Sequence, residues 1–182
     1  MNKQMQWHLF GNTSGLLIIC CLLILAFLDQ FIFYELPCPI CILQRICFVA
    51  VGLCFVMNLM LGIRASHYGL MLLASLLGLS ISVRQMYIHL TPGDPGYGGL
   101  FLGLHLYTWS AIIFLVIILL IAGALILDKG LMPDYKVRSK SAKVMIWVFF
   151  ILILANGIST FLECGPHECP DNPSKYYLLN NN

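Results

Sequence analysis

Charged side chains are scarce in this chain. Of its 182 residues, 10% are charged and 60% are hydrophobic, whereas about 25% of the residues in a soluble domain are charged. The formal net charge of +2 is too small to indicate a nucleic-acid partner. The few charges are clustered, and the stretches between them approach the ~20 residues that cross a bilayer. The composition therefore predicts an integral membrane protein.

Five apolar stretches are long enough to span a membrane, and no internal repeat divides the chain. We therefore predict one all-α membrane domain over residues 1–182, with an irregular outer tail at 163–182. The predicted spans are Ser14–Tyr34, Ile42–Gly62, Tyr68–Leu90, Tyr107–Leu127 and Val144–Leu162.

The first apolar stretch lacks the features of a cleaved leader. Lys3 is the only basic residue ahead of it, and no small-x-small cleavage site follows. We expect an uncleaved first helix.

Lysine and arginine are few and unevenly distributed. If the N-terminus is cytoplasmic, seven of them lie on the inner side and only Lys175 lies outside, with Arg45 and Arg84 near membrane boundaries. The positive-inside bias then predicts a cytoplasmic N-terminus and, after five spans, an outer C-terminus. The seven inner residues are Lys3, Arg64, Lys129, Lys136, Arg138, Lys140 and Lys143.

This orientation divides the eight cysteines into two groups. Four lie on the outer side, which in the inner membrane of a bacterium is the periplasm, where disulfides form and persist. The other four lie inside apolar runs, where we expect them to pack as small hydrophobic side chains. The outer group is Cys38, Cys41, Cys164 and Cys169, and the inner group is Cys20, Cys21, Cys47 and Cys54.

The segment Tyr34–Arg45, YELPCPICILQR, combines a thiol pair with a permanent cation. Pro39 suits the first turn of a helix, so Cys41 would lie where free N–H groups and the helix dipole favour a thiolate. Arg45 follows four residues later and shares the face of Cys41, where it could stabilise a thiolate or a bound anion. The alternatives are a stapling disulfide and an interfacial arginine. The combination favours redox chemistry.

The segment LPCPICILQR resembles the signature of the DsbB family, the disulfide bond formation protein B of bacterial inner membranes. The resemblance extends to RQMYIHL, to PGDPGYGGLFLGLHLYTWS and to the tail ECGPHECPDNPSKYYLL. It implies a four-helix transmembrane bundle, to which this chain adds a fifth helix. It also implies an oxidoreductase that passes electrons from a periplasmic thioredoxin-fold dithiol oxidase (DsbA-like) to a membrane quinone and so supports protein folding.

The same resemblance assigns roles to individual residues. Cys38 and Cys41 would form the quinone-proximal disulfide, Cys41 would contact the quinone, and Arg45 would stabilise the charge on both. His89 becomes a plausible second ligand of a quinone carbonyl, with an interfacial histidine as the alternative. His105 and Trp109 either border the same cavity or, as the favoured alternative, belong to the interfacial belt. The sequence does not distinguish ubiquinone from menaquinone.

The chain departs from the best-known members of the family in the position of its second cysteine pair. Those members carry it in the outer loop between spans three and four, and Thr91–Leu106 contains no cysteine here. We expect Cys164 and Cys169, in the tail, to replace that pair and to pass electrons from the partner to Cys38–Cys41. The alternative is a structural clip. The sequence does not indicate which tail cysteine reacts first.

Three other functions fit parts of the pattern. The four outer cysteines, with His167 between the last two, could hold zinc tetrahedrally. A conduit that moves reducing electrons outward would need cysteines in an inner loop, and neither inner loop has one. A purely structural scaffold predicts that Cys41→Ser leaves thiol oxidation unchanged.

Overall fold

The computed structural model describes residues 3–32, 34–127, 140–173 and 175–179. Within these residues the fold consists of five helices and one short antiparallel hairpin. All five helices are long and apolar enough to cross a membrane, which confirms the predicted all-α membrane architecture. The helices are α1 Lys3–Ile32, α2 Pro39–Leu61, α3 Ala65–Ile88, α4 Leu106–Leu127 and α5 Lys140–Cys164, and the hairpin is β1 Leu100–Phe101 with β2 Leu104–His105.

The helices begin and end within four residues of the predicted spans, except at the start of α1. Helix α1 begins at Lys3 instead of Ser14, and Asn12 in the added part is buried and donates to the Tyr68 hydroxyl at 2.9 Å. Helix α5 ends at Cys164, so this cysteine is its last residue and does not follow the helix. Three of the basic residues predicted to lie on the inner side are outside the described residues, namely Lys129, Lys136 and Arg138.

Helix α2 occupies the middle of the bundle. It packs against α1 and α3, while α4 packs on α3, and α5 packs on α1 and α2. Two glycines permit close approach: Gly52 of α2 faces the ring of Phe149, and Gly78 of α3 faces the ring of Phe114. Both rings are fully buried. Many large apolar side chains on the outer helix faces are exposed, as expected of a surface that contacts lipid.

The first turn of α2 explains why the helix begins at Pro39. Cys38 is the N-cap residue, with φ −65° and ψ 160°, and Pro39 occupies the first helical position. The Cys41 backbone N–H donates to Cys38 Sγ at 3.1 Å, so a sulfur satisfies one of the free N–H groups of the helix end. Proline suits this position because it has no N–H to satisfy.

Antiparallel helices bring the two cysteine-bearing segments to the same end of the bundle. We call this end, with residues 34–38, 89–105, 165–173 and 175–179, the cysteine end. Its loops are bound to each other: the Tyr97 hydroxyl donates to the Leu36 carbonyl at 2.5 Å, and the Gly99 N–H donates to Glu35 Oε2 at 2.8 Å. The tail folds back onto α5, where the Tyr177 N–H donates to the Glu163 carbonyl at 3.1 Å.

The contact between α3 and α4 can be tested with a matched pair of glycine substitutions. A Cβ at Gly78 would overlap the Phe114 ring, whereas a Cβ at Gly69, on the same helix, meets no heavy atom within 4 Å. We expect Gly78→Ala to lower the free energy of unfolding in mixed micelles by about 1 kcal/mol, because overpacking costs about 1–3 kcal/mol against a helix gain of about 1 kcal/mol. Gly69→Ala should leave stability unchanged or raise it. Equal effects of the two substitutions would contradict this packing.

Candidate redox site

Cys38 and Cys41 form a disulfide at the start of α2, with their Cα atoms 5.0 Å apart. Cys38 is buried, with 5% of its surface exposed, and Cys41 is partly exposed. The capping hydrogen bond from the helix N-terminus goes to the sulfur of Cys38. From the sequence, we predicted that the helix N-terminus stabilises a thiolate on Cys41. In the structure, the N–H group of this helix end donates to the sulfur of Cys38.

A buried amide lies directly behind the disulfide. Gln85 Nε2, on α3, is 3.3 Å from Cys38 Sγ and 3.5 Å from Cys41 Sγ. Its Oε1 accepts a hydrogen bond of 2.8 Å from Gln44 Nε2 on α2. Both glutamines are buried. Neither glutamine was predicted to take part in the site, although an amide side chain in an apolar helix indicates a hydrogen-bonding partner on a neighbouring helix.

A cavity of about 220 Å³ lies at the cysteine end, between α1, α2 and α4 and under the loops. Its wall is mostly apolar, and three polar or reactive side chains of α2 reach it, namely Cys41, Gln44 and Arg45. Trp109 lines it, whereas His105, the other residue for which this position was considered, does not. The other lining residues are Leu22, Leu23, Leu25, Ala26, Asp29, Glu35, Leu36, Pro37, Phe48, Tyr97, Gly98, Phe101, Leu106, Tyr107, Ser110 and Ile113.

The guanidinium of Arg45 binds helix α1. Arg45 Nη1 donates to Gln30 Oε1 at 3.0 Å, and Nη2 donates to the Ala26 carbonyl at 3.0 Å. The guanidinium carbon also lies 5.9 Å from the centre of the Phe27 ring, within the range of a cation–π contact. Arg45 and Cys41 therefore share a cavity, while these two hydrogen bonds of the guanidinium go to α1 and not to sulfur.

Gln30 extends this network to α5 and the tail. Its Nε2 donates to the Ser159 hydroxyl at 2.9 Å and to the Tyr176 hydroxyl at 2.7 Å. Gln30 is 2% exposed, so both its amide nitrogen and its amide oxygen are paired inside the protein. The polar network thus joins Arg45, beside the first disulfide, to the tail that carries the second.

Glu163 adds a buried carboxylate next to this network. It is 1% exposed, and neither carboxylate oxygen has a hydrogen-bond partner among the described residues. Its charge interacts with Arg45 and with Tyr97. Burial, followed by the nearby Glu163 and Glu35, raises the pKa of Tyr97 to about 12. The Tyr97 hydroxyl is therefore a proton donor at neutral pH, as its bond to Leu36 requires.

His89 lies beside the cavity and does not line it. Its Nδ1 is 3.1 Å from Asp94 Oδ2, and its ring stacks on Tyr107 with a centroid distance of 5.6 Å. Tyr107 itself lines the cavity. The N–H of Gly96, and then His89, lower the pKa of Asp94. Tyr107 also stacks on His105, at 5.1 Å.

The second disulfide, Cys164–Cys169, lies where α5 ends and the tail begins. Cys164 is 6% exposed, and Cys169 is partly exposed on an irregular segment. Gly165, with φ +63°, turns the chain away from the helix, and a Cβ there would meet the Tyr177 ring. Left-handed backbone of this kind favours glycine at a helix end.

The structure also shows the state of the remaining cysteines and bears on the zinc alternative. Cys20, Cys47 and Cys54 are buried and free, and Cys21 is free and exposed on α1. The four cysteines predicted to face outward are paired as Cys38–Cys41 and Cys164–Cys169. In the part of the chain that the structure describes, no three His, Cys, Asp or Glu side chains converge as metal ligands do. The zinc alternative would require both disulfides to be reduced, because zinc is bound by thiolates.

Comparisons with known proteins point to one family. The sequence profile described as "Disulfide bond formation protein DsbB" matches residues 10–98. A curated relative from Chromohalobacter salexigens, named "Disulfide bond formation protein B", is 31% identical over 90 residues, which are 46% of this chain and 52% of the relative. The chain thus spans about half the length of this relative. No solved structure matches the chain.

The bond between the two loops can be tested through the phenol of Tyr97. Because its pKa is raised from 10.0 to about 12, the hydrogen bond to Leu36 is fully present below about pH 10 and is lost as the pH rises through about 12. The difference in ultraviolet absorbance between wild type and Tyr97→Phe should therefore show one phenol titrating near pH 12. In denaturant the same difference should move to about 10. A midpoint near 10 in the folded protein would contradict the burial described here.

Proposed function

We propose a function that starts from one premise: through residues 10–98, this chain belongs to the DsbB family of disulfide bond formation proteins. It is accordingly a multi-pass membrane protein that takes part in disulfide bond formation. In our proposal it is a quinone-dependent thiol oxidase. It reoxidises a periplasmic thioredoxin-fold, DsbA-like dithiol protein and delivers the electrons to ubiquinone or menaquinone.

The observation that carries this proposal is the position of Cys41 in the wall of an apolar cavity that also contains Arg45. An apolar cavity of about 150 Å³ binds benzene, so one of about 220 Å³ has room for a single substituted ring. Gln44 and Arg45 offer donors of the kind that bind a carbonyl oxygen. A quinone bound there would supply a two-electron acceptor beside the disulfide.

The role proposed for Arg45 is to stabilise negative charge in the cavity. Its bonds to Gln30 Oε1 and the Ala26 carbonyl hold the guanidinium in place and satisfy only part of its five donors. Arginine keeps its charge in an apolar surrounding. The remaining N–H groups are thus available to a carbonyl oxygen or to a thiolate on Cys41.

The proposed electron path consists of thiol–disulfide exchanges. A thiolate of the reduced partner attacks the Cys164–Cys169 disulfide, and its second thiol then releases the partner in oxidised form. The reduced tail pair attacks Cys38–Cys41 in the same way and closes its own disulfide. Each exchange moves two electrons through a mixed disulfide, and a difference of about 30 mV changes the equilibrium constant tenfold.

His89 stays a proposed ligand of a quinone carbonyl. Its ring stacks on Tyr107, and Tyr107 lines the cavity. Direct contact with a ring in the cavity would therefore require the Tyr107 side chain to move. Without that movement, His89 acts on the cavity only through the position of Tyr107.

The proposed location is a bacterial inner membrane, with the N-terminus in the cytoplasm and the C-terminus in the periplasm, and the whole chain as one domain. Arg64, Lys140 and Lys143 lie at or near helix ends opposite the cysteine end, which supports this orientation through the positive-inside bias. The cysteine end then faces the oxidising compartment.

The decisive test measures quinone reduction by purified protein with a reduced thioredoxin-fold protein and a soluble quinone analogue. We expect Cys41→Ser to reduce the rate to the background without protein, because the exchange with Cys38–Cys41 requires both sulfurs. Cys47→Ser is the matched control, since Cys47 is a buried free cysteine on the same helix. It should retain most of the rate.

Two outcomes would contradict the proposed function. One is a wild-type protein that reduces no quinone with several DsbA-like partners. The other is quinone reduction that Cys41→Ser leaves unchanged, because electrons would then bypass the disulfide.

The difference in exposure between the tail cysteines supports an order of attack. Cys164 is 6% exposed at the end of α5, whereas Cys169 lies partly exposed on the irregular segment. We expect the partner to attack Cys169, so that Cys164 leaves as the thiolate. A thioredoxin that retains only its nucleophilic cysteine should form a stable mixed disulfide, and peptide mass spectrometry should locate it at Cys169.

This experiment uses a protein in which Cys38 and Cys41 are both serine, so that no later exchange occurs. A mixed disulfide at Cys164 would reverse the proposed order and leave the overall function intact. A tail pair that forms no mixed disulfide would indicate the structural clip.

A further inference from the structure

The two glutamines behind the Cys38–Cys41 disulfide form a connected pair. Gln85 Nε2 lies within hydrogen-bonding reach of both sulfurs, at 3.3 Å from Cys38 Sγ and 3.5 Å from Cys41 Sγ. Gln85 is 1% exposed, so no bulk water competes for its amide. A polar side chain this deeply buried in an apolar bundle is costly unless it is paired, and here its nitrogen is directed at the disulfide.

Gln44 fixes which end of the Gln85 amide faces the sulfurs. Gln44 Nε2 donates to Gln85 Oε1 at 2.8 Å, which occupies the acceptor end of that amide. The donor end must then point the other way, toward the disulfide. Gln44 is itself 5% exposed and lines the cavity. A chain of hydrogen bonds therefore runs from the cavity wall through the two amides to the sulfurs.

The effect of this arrangement depends on the redox state of the pair. A sulfur in a disulfide is a weak and neutral acceptor, whereas a thiolate is charged. Hydrogen bonds in which one partner is charged are roughly twice as strong as neutral ones, and a low local dielectric strengthens them further. The Gln85 amide thus stabilises the opened pair more than the closed disulfide.

We propose that Gln85 is a positioning residue that stabilises the reduced, thiolate form of Cys38–Cys41, and that Gln44 holds the Gln85 amide in the orientation that does so. This role rests on the proposed function, in which the pair is redox-active. When thiol exchange opens the disulfide, one sulfur joins the attacking cysteine and the other leaves with the electron pair as a thiolate. The amide protons stay on Gln85 throughout.

The test measures the equilibrium of the Cys38–Cys41 pair with glutathione buffers, with the redox state of each pair read by alkylation and peptide mass spectrometry. We expect Gln85→Leu to lower the equilibrium constant for reduction about tenfold, since it removes a hydrogen bond to a charged group. Tenfold corresponds to a potential about 30 mV more negative. Gln44→Leu should cause a smaller decrease in the same direction, because the donor remains and only its orientation is released.

A second variant and a control distinguish the loss of the Gln85 amide from a general loss of structure. Gln85→Met fills similar space with a flexible apolar side chain and should match Gln85→Leu. Ser82→Ala removes a buried hydroxyl from the same helix, whose hydrogen bond goes to the Gly78 carbonyl at 2.8 Å. It should leave the equilibrium unchanged.

The acidity of the reduced pair gives an independent measurement. The rate of alkylation of reduced Cys38 and Cys41 should titrate about one pH unit higher in Gln85→Leu, because a tenfold loss of thiolate stabilisation corresponds to one unit of pKa. A residue with a purely structural role would lower quinone reduction without moving this titration.

Unchanged equilibrium and titration in both Gln85 variants would overturn the inference, as would an equal shift in Ser82→Ala. These measurements need neither quinone nor a partner protein. A wild-type protein that reduces no quinone would contradict the proposed function and leave the measured effect of Gln85 standing.

Discussion

The hydrogen bond from the Cys41 N–H to Cys38 Sγ, at 3.1 Å, links the start of α2 to the position of the two sulfurs of the first disulfide. Because Cys38 is the N-cap and Pro39 the first helical residue, the disulfide is part of the helix end and not of a free loop. The sulfurs are therefore held where backbone N–H groups and the helix dipole stabilise negative charge. From this point, one turn of helix leads to Gln44 and Arg45 in the cavity wall.

Polar groups in the apolar bundle are arranged around that helix end. Arg45 joins α2 to α1 through Gln30, and Gln30 joins α1 to Ser159 of α5 and to Tyr176 of the tail. Gln85 joins α3 to the sulfurs. Ionisable and amide side chains are expensive inside a membrane and mark functional positions there. Here they converge on the first disulfide and on the base of the second.

Much of this arrangement follows from the sequence, and some of it does not. The five spans were predictable because long apolar runs leave few alternatives, and the helix start at Pro39 followed from the chemistry of proline. The direction of the Arg45 guanidinium and the contact of Gln85 with sulfur depend on how α1, α2 and α3 rotate against one another, which periodicity does not fix. The end of α5 at Cys164 was missed, because Glu163 and Cys164 are polar or small and gave no signal of continued helix.

In the proposed function, Cys38–Cys41 passes electrons between a thiol protein and a quinone. The most direct measurement follows the redox state of this pair in membranes stripped of quinone and then mixed with a reduced thioredoxin-fold protein. The account predicts that the pair accumulates as a dithiol and returns to the disulfide when quinone is added back. A pair that stays oxidised throughout, or that stays reduced after quinone is restored, would contradict the account.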